Sequence, residues 1–551
     1  MQSHLTLGEA NPLWQKSLRA RLRLKHIISW GVVTLTLTAF VSLIIYTTMT
    51  EQEMAPKDVA AKAVLPGIIV IQAILLMMLG TGSVAAGVAR ERDEGLLDYQ
   101  RMTPMSPTAK ILGYLFGLPV REYALFAMTL PFVAAAVWIG NFNLLTLGHF
   151  YAVFFTSVLV YHMTALVAGM VAPKPRSATL LSLGLVVALY FVLPNLSRLG
   201  ITFFEFLTIR PTFFGLVQQE MPPEFRPTAE ASGIDSFRDV PFFAGVMHPT
   251  IYTLLVQGFV VVTMFMIVHR KWRDASSHLM SKLGGVTVFA GVAFFLLASV
   301  WALVVQDDAY WEVFRAFEGD SDREQRAPES LEILMIISAM ILGGAYLLVI
   351  ATITPSRDRT IEGWRRARKL GHTRFGVNAD AASSLPAALI MIALALGSGF
   401  AILRAADAGG DYFSTGPSAQ SMIVVAALCV GVALFVQGLR ERFSLRVFMV
   451  TLFLLWMVPF FVMSVMYAAF EAFVPGSYVA LPCPPVSIGY ALAQMMHTTT
   501  PLPGADPDFL PEDLIDDMPA IVATGAAGYL AAAVAIQGFR HAHRAALRRA
   551  T

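Results

Sequence analysis

The densest charge in the first half of the sequence is Arg90, Glu91, Arg92, Asp93, Glu94 and Gly95, followed by Leu96, Leu97 and Tyr99. Both signs of charge beside apolar residues suit a short helix that another protein grips by ion pairing and apolar burial. A solvated connector is the plainer reading of such a run. A second stretch, with Arg357, Arg359, Glu362 and Arg365 around Gly363, has the same mixed character. Near the N-terminus Trp14, Leu18 and Leu22 recur at i, i+4 and i+8, while Lys16, Arg19 and Arg23 lie off that line. This spacing predicts a basic amphipathic helix lying in a membrane interface. Asn11 suits its cap and Pro12 its first turn. Such a helix serves either to anchor the first membrane span or to dock a partner.

Three ionisable residues fall within long apolar runs, where charge is expensive and functional by default. Arg121 and Glu122 follow Pro119 in a run that extends from Ile111 to Ile139. A span that begins near residue 120 puts this pair at the membrane interface, and the stretch beyond it is long enough to cross alone. His162 stands beside Tyr161, and a single intramembrane histidine is more often hydrogen-bonded packing than a proton relay. No Cys/His pair has metal-ligand spacing and no His/Asp/Ser grouping suggests catalysis, so neither a metal site nor catalytic residues are expected. The two cysteines, Cys429 and Cys483, are too few for a disulfide framework.

The elements that must position these residues are membrane helices. Of 551 residues, 56% are hydrophobic and 14% charged, and the mean hydropathy is +0.63. A soluble chain of this size needs a polar coat that this one lacks. Twelve runs, from Ile27–Thr47 through a fifth at Ala178–Leu193 to Ile521–Ile536, approach the length a helix needs to cross a bilayer. The basic stretch before the first run, with no small-residue cleavage site after it, reads as a retained segment rather than a secretory signal. With the N-terminus inside, the seven cytoplasmic segments carry roughly 29 Lys/Arg and roughly 10 Asp/Glu, and the six outer segments roughly 10 and roughly 27. A missed span would invert that asymmetry downstream, and no inversion occurs. The expected fold is therefore an all-α polytopic membrane protein of about twelve transmembrane helices, with both termini cytoplasmic, in a plasma or inner membrane.

The two halves match in order, which suggests an internal duplication. Tight basic turns join helices four and five (Lys174, Arg176) and helices ten and eleven (Arg440, Arg442, Arg446). Long outer segments follow helices five and eleven, each with a proline four residues before a glycine: Pro211 and Gly215, Pro485 and Gly489. Each half re-enters the membrane at a methionine near a proline (Met247 and Pro249, Met518 and Pro519) and exits into a basic tail. The expected organisation is an interface helix (1–26), a six-helix unit (27–270), a cytoplasmic linker (271–285), a second six-helix unit (286–540) and a basic tail (541–551).

The stretch from Arg90 to Pro107 reads RERDEGLLDYQRMTPMSP, with Gly113 opening the next run. It resembles the inner loop of type-two ABC exporter permeases, which commonly show an acidic, glycine-containing segment ending in T-P-L-S. The opening Asn11–Pro12, with arginines spaced along a helix, is similar to their N-terminal interface helix. A glutamate often found there is absent, Gln15, Lys16 and Ser17 standing in that region, and the loop around Arg357 lacks the T-P-x-S ending. The resemblance implies a membrane subunit whose inner loops contact separate ATP-binding cassette subunits, two copies of them, with ATP and Mg bound by those partners and no cofactor bound by this chain. Arg90, Glu91, Arg92, Asp93, Glu94, Gly95, Arg357, Arg359, Glu362 and Arg365 would form the coupling surface. The chain has no Gly-x-x-x-x-Gly-Lys-Ser/Thr phosphate loop, so ATP hydrolysis would belong to the partner.

Two other classes compete. Twelve helices in two halves is also the plan of secondary transporters of the major facilitator type, but the outer segments here are long and nearly all Asp and Glu lie in loops. A membrane enzyme would need a polar cluster near one face, and none stands out. No nucleic-acid partner is expected.

Overall fold

The computed structural model describes residues 11–51, 55–172, 174–192, 202–222, 239–275, 277–305, 327–371, 376–408, 419–497 and 512–550. Among these, eleven helices are long and apolar enough to cross a bilayer, which makes the chain a multi-pass membrane protein. Sheet among the described residues is confined to one hairpin, Val240–Phe242 with Gly245–Met247. Lipid offers backbone groups no hydrogen bonds, so helices that satisfy themselves internally are the available solution. The chain divides into two compact units, one carrying α1–α11 and the other α12–α20.

In the first unit α1 (Pro12–Arg21) precedes α2 (Leu24–Glu51). A continuous helix follows, in which α3 (Lys57–Ala73) passes through a π-helical stretch, Ile74–Gly80, into α4 (Thr81–Asp93). Next come α5 (Leu96–Met102), α6 (Pro107–Gly117), α7 (Val120–Gly140), α8 (Leu144–Val171) and α9 (Pro175–Val187). A π turn (Ala188–Val192) ends α9, and a 3₁₀ turn (Thr202–Leu207) leads to α10 (Arg210–Glu220) and α11 (Pro249–Arg273). Asparagine and serine begin several of these helices for one reason, that a side-chain oxygen takes a first-turn amide. Ser106 accepts from Ala109 N at 3.2 Å and Asn143 from Leu145 N at 2.9 Å.

Two of the expected runs take definite form. The run Ile111–Ile139 is two helices, α6 and α7, because Pro119 has no N–H to continue the ladder and its ring crowds the preceding turn. The span therefore begins at Val120. The fifth expected run, Ala178–Leu193, coincides with an apolar helical stretch, Pro175–Tyr190, that is shorter than the eleven spans, and Leu193 lies outside the described residues. Among the described residues, three buried clusters hold this unit together, the smallest around Ile71, Leu75 and Leu125. Of the larger two, one gathers Phe126, Phe150, Phe154 and Tyr161, and the other Val84, Ile111, Tyr114, Leu166 and Trp272.

The second unit contains α12 (Lys282–Val305), α13 (Ala327–Ile353), α14 (Arg357–Lys369), α15 (Leu385–Ala408) and α16 (Ala419–Arg442). It continues with α17 (Leu445–Phe470), α18 (Phe473–Ala480), α19 (Pro484–His497) and α20 (Glu512–Ala550). Leu428, Met518, Val522 and Tyr529 pack α16 against α20. α17 exposes Phe453, Leu454 and Phe461, as α2 in the first unit exposes Val32, Phe40 and Leu43. Rows of exposed large apolar side chains would aggregate in water, and hydrocarbon is their natural solvent. Cys429 and Cys483 are both free thiols.

Candidate functional site

The mixed-charge stretch folds as a helix–corner–helix. α4 stops after Asp93 because Gly95 takes φ +73°, a left-handed conformation that carries little penalty without a Cβ. α5 leaves at once from that corner. Its Leu97 and Gln100 point inward, while Leu96, Tyr99 and Met102 are exposed on its outer side. Tyr99 and Met102 are 65% and 77% exposed, a high value for such side chains.

The predicted coupling residues separate into two groups. Arg90, Asp93, Glu94 and Gly95 are exposed, whereas Glu91 and Arg92 are built into the body. Lys16 of α1 pairs with Glu91 Oε1 at 2.7 Å. The Tyr114 hydroxyl donates to Glu91 Oε2 and lies 2.5 Å from Gln100 Oε1. Gln100 Nε2 donates to the same carboxylate oxygen at 3.1 Å. Burial, together with the adjacent Glu91 carboxylate, pushes the Tyr114 phenol up from its ordinary value, so it stays a donor. Its ring lies 5.2 Å from Trp272 of α11. Arg92 donates to the Gly169 carbonyl at 3.1 Å and pairs with Asp93 at 2.6 Å. Glu91 thus ties α1, α4, α5 and α6 into one block, with α5 on its outside. Lys110 on α6 reaches back to the Thr103 carbonyl at 3.3 Å, and burial, then Arg101, lower its ammonium from the usual lysine value.

α1 is capped as expected, Asn11 Oδ1 accepting from Leu13 N at 3.1 Å. Against the rest of the first unit it packs through residues beside the predicted stripe. Asn11 Nδ2 donates to the Ala109 carbonyl at 2.9 Å, and Leu13 joins the buried cluster around Tyr114. Added methyl groups at Gly113 and Gly117 would stand within 2.9 Å of Leu13 and Ser17. The contact therefore runs through Asn11, Leu13 and Ser17, with Trp14 reaching Phe116 at 6.3 Å. Leu18 is half-buried, and Leu22 lies just past the helix end. Periodicity identified the stripe richest in carbon, but close approach was decided by two glycines on a helix distant in sequence.

Arg121 and Glu122 occupy the first turn of α7, as a span starting near residue 120 requires. Glu122 is fully buried, its Oε1 accepting from Ser83 at 2.8 Å and pairing with Arg121 at 2.6 Å. The Arg121 guanidinium also lies over the Trp30 ring, 5.5 Å from its centroid. Burial lowers Arg21 at the end of α1 and Glu122 opposes that shift, which places the two charges in one neighbourhood. His162 is fully buried. Its Nε2 lies 3.0 Å from the Leu76 carbonyl within the π-helical stretch, and its Nδ1 lies 3.4 Å from the Tyr123 hydroxyl. These partners suit a neutral imidazole that donates through Nε2 and accepts from Tyr123, a packing role. A Cβ at Gly80 would come within 2.7 Å of His162 Nε2, so the close approach depends on that glycine.

Polar groups that the sequence reading passed over lie deeper. Gln72 donates to Thr129 and accepts from Tyr151, both at 2.9 Å, and Gln257 donates to Ser157 at 2.9 Å. Both amides are fully buried. An uncharged amide in an apolar run was the available signal.

In the second unit α14 presents a basic face. Arg357, Glu362 and Arg365 are exposed, and Arg359 lies 3.9 Å from Glu362. Trp364 lies under Arg548 at 5.0 Å, and Arg368 donates to the Arg548 carbonyl at 2.8 Å, tying α14 to the end of α20. A further charge cluster of this unit centres on Glu441, which the sequence did not single out. Its carboxylate accepts from Ser383 Oγ and Ser384 N, both at 2.7 Å, and pairs with Arg540 at 3.3 Å and Arg544 at 3.0 Å. Glu441 thereby fastens α16, the start of α15 and α20.

Comparison with protein families, with curated proteins and with solved structures finds no match for this chain.

Proposed function

We propose that the chain is the membrane subunit of an ATP-driven exporter of the ABC type, working with separate ATP-binding cassette subunits. The observation that carries this reading is the α4–α5 corner. A short helix with an exposed apolar edge (Leu96, Tyr99, Met102), flanked by Arg90, Asp93 and Glu94, is what a partner subunit would grip. Behind it, the Glu91 hydrogen bonds convert a push on α5 into movement of α1, α4 and α6 together. The basic face of α14, braced on α20, offers a second contact for a second ATPase copy.

Duplication of the two halves has support in the order of elements. Pro211 and Pro485 each stand in the first turn of a helix, α10 and α19, that follows a short helical turn and precedes the last span of its unit. On this reading both termini face the cytoplasm, the basic loops line that side, and the protein resides in a plasma or inner membrane.

The test is purification of the tagged full chain from native membranes in mild detergent, with identification of co-purifying proteins and assay of ATP hydrolysis. A stoichiometric partner bearing a phosphate loop, about two copies per chain, is expected. A folded preparation that transports substrate down an ion gradient without such a partner would overturn the proposal in favour of a secondary transporter.

A further inference from the structure

Helices α12, α13, α15, α16, α17 and α19 of the second unit surround a cavity of about 660 Å³, within the range of roughly 300–1,000 Å³ usual for ligand sites. Every side chain that lines it is uncharged, and most are apolar. Glycines thin its walls: a methyl group added at Gly343, Gly344 or Gly399 would meet no atom within 4 Å. Met340, Phe400 and Ile423 line it and are exposed, so it opens at the surface of this unit.

Polar atoms in the wall are few and differ in how they are used. The Tyr346 hydroxyl donates to the Ala433 carbonyl at 2.7 Å, and the Ser398 hydroxyl to Ala395 at 2.8 Å, the ordinary return bond of a helical serine. Ser338 makes no such bond. It is 4% exposed, and its Oγ has no hydrogen-bond partner among the described residues. The indole Nε1 of Trp456 is likewise buried and unpartnered there. Both atoms are inaccessible even to water, so the surface that the cavity offers a ligand is apolar.

We propose that this cavity is a binding site for a neutral, predominantly hydrocarbon chain. The uncharged wall could not compensate an ion, a phosphate or a carboxylate for lost water. Apolar cavities of this kind exclude water and take up apolar molecules instead. A free neutral ester and the tail of a bilayer lipid both present such a hydrocarbon chain, and the site does not depend on coupling to an ATPase.

The probe is a long-chain fatty acid methyl ester with a diazirine in mid-chain, photolysed with the purified full-length protein in mild detergent. Labelled peptides are then mapped by mass spectrometry. Labelling within α13, α15 and α16 is expected, suppressed by excess unlabelled methyl ester and reduced at least tenfold in a Gly344→Leu/Gly399→Leu variant, whose substitutions fill the space and favour helix. A parallel arm uses a diacyl lipid bearing the same diazirine. Labelling by both probes identifies a lipid tail as occupant and labelling by the ester alone a free molecule, and either supports the site. Labelling that excess ester does not compete, or that falls only on the exposed face of α17 around Phe453 and Phe461, overturns it. Competition on the wild-type protein decides the matter even should the double variant fail to fold.

Discussion

Glu91 and Glu441 sit at the ends of long helices, and each is held by groups from elements distant in sequence. Such carboxylates differ from the exposed Arg90 and Glu94 in what substitution does. Glu441→Ala leaves Arg540 and Arg544 without their partner and strips acceptors from Ser383 and Ser384. Loss of one member of a buried ion pair costs about 3–5 kcal/mol. A drop in thermal midpoint in detergent is expected, partly recovered by adding Arg544→Ala, so that the double-mutant cycle shows coupling. Strict additivity of the two changes would show that Glu441 is no hub. Arg90→Glu should shift stability by no more than about 0.5 kcal/mol, the usual range for surface changes.

At the scale of the element, α5 is separable from the block that carries it. Its outward side chains Leu96, Tyr99 and Met102 contribute little to the unit's own core. Replacing all three by serine should leave the thermal midpoint within a few degrees while reducing capture of an ATPase partner at least tenfold, as read by pull-down. Retention of the partner by the triple variant would move the contact elsewhere. α5 was legible in the sequence as a charged segment with apolar residues beside a span. Its division into bound and exposed residues was not, because Tyr114, Lys16 and Trp272, which select Glu91 and α5's inner side, lie far away in the chain. The interface helix shows the same limit. Asn11 and Pro12 announced its start, yet its docking face depends on Gly113 and Gly117 of α6.

For the whole molecule the alternation of charged loops makes a definite statement about sides of the membrane. In a Cys429→Ala/Cys483→Ala background, a cysteine in place of Leu144, the first residue of α8, should react with a membrane-impermeant maleimide on intact cells. One in place of Leu370, after α14, should react only after permeabilisation. Both positions are exposed, so access to the reagent reports the side alone. The opposite pattern would reverse the topology. It would also put the α4–α5 corner out of reach of any cytoplasmic ATPase.

The sequence by itself determined that this is a multi-pass helical membrane protein, because the bilayer permits few backbone solutions and each leaves a long apolar run. It also marked where charge gathers and where helices start, since caps and loops are local. Tertiary structure alone decided that the Glu122 and Glu441 side chains are buried, that His162 packs against a π-helical carbonyl, and that the second unit encloses an apolar cavity. The physical reason is that burial inside a bundle depends on which faces of apolar helices meet. Within a uniformly apolar run hydropathy no longer distinguishes the face that meets protein from the face that meets lipid.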